Sequence, residues 1–169
     1  MDTKGDRAAR HKALSFQQPW ATLIMLGQKT VECRTRNVHA PIENLVVCAS
    51  KTASQFYPFP GLAYGYAIAL VDVADCVPFE RKHLKAACMD GMPNTGANAW
   101  ILENARPIVP FEVHASASFF YVEHALQLAD ISSFKDYWNF YQPIGFSGKT
   151  PNDESPESII SSMLAGEFI

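Results

Sequence analysis

The sequence predicts an α+β fold built on a small, curved β-barrel of five or six mixed strands, with helices packed at its mouth. Short apolar runs rich in β-formers alternate with two or three helical patterns along the chain. The longest strand candidate contains Gly61 and Gly65, and such glycines permit the bends that a closed sheet needs. With 169 residues, 48% of them hydrophobic, the chain can bury one substantial core.

The composition excludes several classes of protein. The formal net charge is -3, which argues against nucleic-acid binding through bulk electrostatics but leaves room for a local basic site. The longest apolar run, 62–71, is interrupted by Gly65 and is shorter than the roughly 18 residues of a membrane span. The charged N-terminus has no apolar region behind it. We therefore expect a cytoplasmic protein with no membrane partner and a mobile N-terminal segment, 1–12.

Four cysteines are spread over the sequence as Cys33, Cys48, Cys76 and Cys88. None of their intervals matches a zinc site or a redox pair, and His83, which lies between the last two, completes no metal signature. The cysteines are therefore interpreted as small buried hydrophobes. No metal and no cofactor is predicted.

The N-terminal elements follow from local patterns. A strand is predicted over Ala13–Phe16, and a helix is predicted over 19–27, with Pro19 in its first turn and Gly27 as a C-terminal cap. A strand follows within 28–37. Its alternation places Val31 and Cys33 on one face, and it places four polar residues on the other, namely Thr30, Glu32, Arg34 and Arg36.

The middle of the chain reads as further strands with one short helix. The apolar run 44–50 predicts a buried strand, and the prolines in 51–60 predict irregular structure. The long strand candidate spans 61–79. The remaining predictions are a short helix over 79–91 and two strands within 98–122, broken at Arg106-Pro107.

The C-terminal part, 123–169, is predicted to be a helical extension. Phe134, Tyr137, Trp138 and Tyr141 recur at helical spacing and form an aromatic stripe. Packing in the core is the favoured interpretation of this stripe, and docking of a protein partner is the alternative. The polar segment 147–158 predicts a mobile connector before a weak amphipathic helix.

The polar face of the charged strand has two interpretations. A Glu32–Arg34 pair can simply tie the strand to its neighbour, and an exposed pair of this kind contributes only about 0 to 1 kcal/mol. Alternatively the face lines a site, because a Lys ammonium meets a phosphate as a point charge and an Arg fork holds a planar anion.

A resemblance bears on this choice. The segment "ALSFQQPWATLIMLGQKTVECRTR" resembles the opening of ASCH domains, whose Gly-x-Lys-x-x-Glu-x-Arg motif corresponds here to Gly27, Lys29, Glu32 and Arg34. The segments "LVVCAS", "GYAIALVDVADCVPF" and "NAWILENARPI" are similar to later strands of that family. The resemblance covers about 13–122, which is taken as the ASCH domain.

The resemblance implies a PUA-like fold that binds RNA or a nucleoside or nucleotide ligand in a cleft beside the motif. The predicted binding residues are Gln17, Trp20, Lys29, Glu32, Arg34, Ser50 and Lys51. Trp20 is either a core residue or a face for base stacking. Gln18 is a weaker candidate than Gln17, and Glu103 and Asn104 are possible rim residues.

The chain departs from the family pattern in two ways. His114 and Ser116 stand where many members have a basic segment. Because each lost phosphate contact weakens the affinity for a polyanion, a small ligand is favoured over a long nucleic acid. Some ASCH-like proteins hydrolyse acetylated cytidine with a Lys and a Thr, but Glu32 stands at the Thr position. An amidohydrolase would then need Glu32 as general base and Lys29 as oxyanion stabiliser. A metal-independent ribonuclease would draw on Lys51, Tyr57 or Tyr64, and Ser116.

Overall fold

The computed structural model describes residues 8–52, 59, 61–141 and 155–167. These ranges contain six strands, three α-helices and one 3-10 turn. In chain order the elements are β1 (Arg10–Phe16), α1 (Trp20–Met25), β2 (Val31–Arg34), β3 (Ile42–Ala49), β4 (Tyr66–Pro78), the 3-10 turn (Arg81–His83), β5 (Asn98–Glu112), β6 (Phe120–Glu123), α2 (Phe134–Tyr141) and α3 (Pro156–Ala165).

The strands form one mixed sheet in the order β2-β5-β4-β3-β1-β6. β1 and β3 are parallel, and all the other neighbours are antiparallel. The predicted α+β class is confirmed. Within the described ranges no backbone ladder joins the outer strands β2 and β6, so the predicted closure into a barrel is not confirmed.

The sheet nevertheless curls until its two ends face each other. Arg34, at the end of β2, donates from Nη2 to the backbone oxygen of Ser15 in β1 over 3.0 Å. Trp100 of β5 stacks on Phe119, which precedes β6, with 5.8 Å between the ring centroids. Side chains therefore bridge the gap between β2–β5 and β1–β6, and we call this gap the seam.

The three α-helices cover the main core. α1 buries all of Ala21–Met25, and α3 buries Ile159, Ile160 and Met163. In α2, Tyr137 donates to the backbone oxygen of Gly61 over 2.6 Å, and Tyr141 donates into the sheet. The core interpretation of the aromatic stripe is therefore confirmed for these two tyrosines, each of which is 1% exposed.

The start of α1 explains why two glutamines precede it. Gln18 is fully buried, donates from Nε2 to the Ala63 backbone oxygen over 2.9 Å, and accepts from the Thr22 backbone N–H at 3.0 Å. A buried amide that lost these partners would be costly. Gln18 is thus a structural residue, and the predicted cap at Gly27 is confirmed by its positive φ of 73°.

Several boundaries differ from the predictions. β1 begins at Arg10 and not at Ala13, so the end of the N-terminal segment predicted to be mobile, 1–12, belongs to the sheet. The charged strand is confined to Val31–Arg34, so Lys29 and Arg36 lie outside it. The helix predicted over 79–91 is only the 3-10 turn, followed by turns. β5 continues through Pro107. Beyond Ile101 the strand is flanked by residues 127–129 instead of β2, and there Pro107 contributes its carbonyl oxygen, which accepts from the Ala129 N–H at 2.9 Å, so its missing N–H does not end the strand.

Glycines make the bends expected at the start of the long strand. Gly61 and Gly65 have φ of 83° and 81°, and both lie just before β4 rather than inside it. A Cβ on Gly61 would meet the Cβ of Pro156 at 2.7 Å, so a side chain here would push the start of α3 away. No helix in the described part of the chain is long and apolar enough to cross a membrane.

Candidate functional site

A cleft of about 540 Å³ opens where β1 ends, α1 begins and β2 passes. It contains six of the seven predicted binding residues and lies against Ala87 and Met89, which follow the 3-10 turn. The lining residues are Ser15, Phe16, Gln17, Trp20, Lys29, Glu32, Cys33, Arg34, Ser50, Ala87, Met89 and Ala117.

Glu32 lies at the centre of the charged wall of this cleft. One carboxylate oxygen accepts from Nε of Arg34 at 2.9 Å, and the other is 3.3 Å from Nζ of Lys29. The side chain is only 13% exposed. The carboxylate is therefore fixed between two cations, with an edge left towards the cleft.

Lys29 is almost fully buried, at 4% exposure. Its ammonium donates to the backbone oxygens of Val31 and Ala87, at 2.8 and 2.7 Å, in addition to its contact with Glu32. An ammonium has three donors, and all three are used. In this arrangement Lys29 positions Glu32 and ties β2 to the segment after the 3-10 turn, which is a different task from meeting a phosphate.

Arg34 joins the cleft to the seam. Its Nε and Nη2 donate to Glu32 and to the Ser15 backbone oxygen, and Nη1 has no acceptor among the described residues. The guanidinium carbon lies 5.3 Å from the Phe16 ring centroid and 5.9 Å from that of Trp100. The free edge of the fork is thus held between two aromatic rings.

Trp20 and Gln17 also line the cleft. Trp20 is half-buried; it packs on the main core and also lines the cleft, and its use as a face for base stacking stays a prediction. Gln17 is exposed at the mouth. Ser50, which directly follows β3, lines the same cleft.

Lys51 lies in a second pocket of about 350 Å³ that shares Ser15, Ser50 and Ala117 with the cleft. His114 and Ser116 line it as well. At the junction, the Ser15 hydroxyl is buried without a hydrogen-bond partner among the described residues. The structure therefore brings Lys51 beside the other predicted binding residues but not among them.

Two cysteine thiols lie close to the charged wall. Burial raises the pKa of Cys33, which lines the cleft, and Glu32 raises it further while Lys29 opposes the change. Burial also raises the pKa of Cys88, again against Lys29. The interpretation of the four cysteines as buried hydrophobes is correct for Cys48 alone, because Cys33, Cys76 and Cys88 are partly exposed; all four are free thiols. The described residues contain no group of three His, Cys, Asp or Glu side chains that could hold a metal ion.

Other candidate residues lie elsewhere. Asn104 is exposed, donates to Asp72 over 2.9 Å, and is absent from the cleft lining, as is Glu103. Tyr64 is hydrogen-bonded to Phe59, and Tyr57 lies outside the described residues. The indole N–H of Trp100 donates to the Arg36 backbone oxygen, and the ring is buried.

Sequence reasoning missed Ala87, whose backbone oxygen holds the Lys29 ammonium. It also missed Ala117, which adjoins both pockets. Neither alanine carries a side chain with a chemical signal, and each lies far along the chain from the motif. Only the folded arrangement of the sheet reveals their role.

Comparison with known proteins identifies the family of this chain. The ASCH domain family model matches residues 14–112, which is more than half of the chain. The chain belongs to the ASCH domain family. The segment matched begins in β1 and ends with β5, so it includes all of the motif and most of the cleft. The resemblance predicted from the sequence is thereby confirmed.

Several solved structures are similar to this ASCH chain. The crystal structure of ASCH from Zymomonas mobilis is 17% identical, with a TM-score of 0.47, and the match covers 66% of this chain and 87% of that one. A mutant of the Zymomonas mobilis protein, in which phenylalanine replaces a tyrosine, is 18% identical, with a TM-score of 0.44, over 66% and 89% of the two chains. No curated protein matches the chain.

Proposed function

We propose that this ASCH protein binds RNA or a nucleotide-like ligand in the cleft around Glu32, within a PUA-like domain of residues 13–122. The observation that carries the proposal is a carboxylate fixed by Lys29 and Arg34 on the wall of a cleft of about 540 Å³. Ligand pockets for small molecules typically have volumes of about 300–1,000 Å³. A single nucleotide suits this space.

The recognition chemistry follows from the groups that remain open. Glu32 can accept hydrogen bonds from the exocyclic amino group of cytosine or adenine, or from both the amino group and the ring N–H of guanine. Trp20 offers a flat face for stacking, and Gln17 offers an amide at the mouth. Nη1 of Arg34 suits a carbonyl or phosphate oxygen. Lys29 supports this site by positioning Glu32.

The test is a binding titration of the purified protein with the four ribonucleoside monophosphates and N4-acetylcytidine. We expect Glu32→Gln to weaken binding about tenfold or more, because a hydrogen bond to a charged group is worth about 1.5–3 kcal/mol. Glu103→Gln, on the exposed surface away from the cleft, serves as the matched control and should bind as the wild type does. The absence of binding to all five ligands, or equal affinities for the two variants, would contradict the proposal.

A hydrolase is the second candidate, and the second pocket favours its ribonuclease form. Lys51 and Ser116 line that pocket together with His114, so a cation, a hydroxyl and an imidazole meet beside the cleft. The amidohydrolase form has less support, because the donors of Lys29 are already used by Val31, Ala87 and Glu32.

Turnover separates the two classes. Incubation with short RNAs and with N4-acetylcytidine should yield product only for an enzyme. Lys51→Met would then abolish RNA cleavage while leaving mononucleotide binding in the cleft intact. If no product forms over many hours, the hydrolase candidate fails and the binding module stands.

A further inference from the structure

The seam carries a strip of cations and aromatic rings that the proposed site does not use. The strip consists of Arg10, Lys12, Arg36, Phe119 and Tyr121. Lys12 Nζ lies 4.9 Å and the Arg36 guanidinium 5.1 Å from the Phe119 ring centroid. The Arg10 guanidinium lies 4.0 Å from the centroid of Tyr121. Three cations from two strand regions thus converge on two rings.

The register of β1 and β6 explains why these side chains share one face. Lys12 is the direct partner of Tyr121, and Arg10 is the partner of Glu123. Positions two apart on a strand point to the same side, so Phe119 joins them. Arg36 approaches from beyond β2, on the other side of the seam. The face is therefore assembled from three separate stretches of sequence.

The positive charge of the strip is not balanced by ion pairs. Within the described ranges, none of its three cations lies within 4.0 Å of a carboxylate. This holds even for Arg10, although Glu123 is its partner in the pairing of β1 with β6. Arg10 and Arg36 are exposed, and Tyr121 keeps 50% of its surface in solvent. In a chain of net charge -3, this concentration of unpaired cations makes a local site for an anion.

We propose that the strip binds the sugar–phosphate backbone of a single-stranded nucleic acid that extends from the nucleotide held in the cleft. This inference rests on the proposed function and specifies its ligand as a polymer. Arg34 and Ala117 line the cleft, while Arg36 and Phe119, two residues further along each segment, form the near end of the strip.

The aromatic rings favour nucleic acid over an acidic peptide. Phe119 is half-buried against Trp100 and holds two of the cations, while the exposed ring of Tyr121 lets a base stack as the cations follow the phosphates. Sequence-tolerant single-strand binders work in this way. The cations of the strip come from β1 and from the residues after β2, and together they form one basic track along the seam.

The experiment compares labelled octacytidylate RNA with cytidine monophosphate over a series of salt concentrations. We expect the octamer to bind more tightly than the monophosphate, with a negative slope of log affinity against log salt. Arg10→Gln and Arg36→Gln should each reduce that slope by about 0.7, the value for one single-strand phosphate contact. Tyr121→Ala should weaken octamer binding about tenfold. Lys135→Gln, on exposed α2 surface, is the matched charge control.

The outcomes keep the two proposals separate. Three results would each overturn the proposed role of the strip. The octamer would bind no more tightly than the monophosphate, the slope would be unchanged in both arginine variants, or octaglutamate would compete as well as RNA does. The proposed cleft would be overturned if the wild type did not bind the monophosphate, or if Glu32→Gln bound it as tightly as the wild type does. The slopes of the arginine variants would still test the strip in either case.

Discussion

Two lysine–glutamate pairs in this protein have the same separation but very different surroundings. Lys29–Glu32 and Lys82–Glu80 are each 3.3 Å apart. The side chain of Lys29 is 4% exposed and that of Lys82 is 68% exposed. Removal of one partner from a buried pair leaves an uncompensated charge, whereas water compensates an exposed one. Burial therefore decides what each pair contributes.

Lys29→Met should destabilise the protein by about 3 kcal/mol, since Glu32 loses a buried counter-ion and two backbone oxygens lose their donor. Lys82→Met, its matched control, should change the free energy of unfolding by less than about 1 kcal/mol. Urea denaturation measures both. If Lys29→Met is as stable as the control, the ammonium is not the support that its contacts indicate.

The thiols offer a probe of the cleft. Burial raises the pKa of Cys48 to about 12, and it raises the pKa of Cys33 to a lesser extent. The thiolate is the reactive form, so a higher pKa lowers reactivity at a given pH. We expect iodoacetamide at pH 8 to leave Cys48 unmodified in the native protein, and we expect the labelling of Cys33 to rise with pH.

Peptide mass spectrometry measures the labelling of each cysteine. A bound nucleotide should slow modification of Cys33, because this side chain lines the cleft. Unfolding in guanidinium should make all four cysteines reactive and thereby control for the reagent. Rapid native labelling of Cys48 would contradict the buried position.

At the scale of elements, Asp72 ties three strands together. It accepts from the Asn44 backbone N–H of β3 at 2.8 Å and from Asn104 of β5 at 2.9 Å, and Arg106 is 3.5 Å away. Asn44 and Asn104 both have positive φ, at 55° and 53°. Burial alone would raise the pKa of Asp72, but these hydrogen bonds and the arginine outweigh it and lower the pKa.

Asp72→Asn should therefore destabilise the protein at pH 7. Because the pKa is lower in the folded protein than the usual 3.8, the stabilisation is complete above that value and is lost as the pH falls through the folded pKa. The difference in unfolding free energy between wild type and variant should narrow as the pH falls below about 4. Urea denaturation over a pH series measures it, with Asp90→Asn, on the exposed surface, as control. A difference that stays constant with pH would contradict this account.

The elements with strong local signals were predicted well. The α2 pattern 134–141 matches the helix found, Gly27 ends α1 as predicted, and the apolar runs became β1, β3 and β4. The errors lie where residues distant in sequence determine the local structure. Lys29 was placed on a strand because its neighbours alternate, whereas the Ala87 backbone draws it into the interior. Pro107 was taken as a break because the pairing of residues 107–109 with 127–129 is invisible to a local pattern.

Most residues of the candidate site were predicted from the sequence, but their arrangement in space was not. Six of the seven predicted residues line one cleft because the helix between β1 and β2 is short, so the motif returns beside the end of β1. The second pocket and the strip combine residues more than 60 positions apart, such as Lys51 with Ser116 and Lys12 with Phe119. No local spacing contains that information.

For the whole molecule, the C-terminal helices are part of the fold. Tyr137 is buried in the main core, so Tyr137→Ala should cost about 4 kcal/mol, in the range for large aromatic truncations. Tyr137→Phe removes the hydrogen bond to Gly61 and should cost about 1 kcal/mol. Trp138→Ala, at a half-buried position, should cost less than Tyr137→Ala. Thermal or urea unfolding ranks the three, and equal stability of all of them would contradict the packing described.

The seam has a mechanical consequence. A ladder of backbone hydrogen bonds separates only when several bonds break together, whereas the Arg34 contact and the Trp100–Phe119 stack can release one by one. The seam between the two ends of the sheet can thus open locally while the backbone pairing between neighbouring strands stays intact. Amide hydrogen exchange should accordingly stay slow in β3 and β4, even when tryptophan fluorescence reports that the stack has opened.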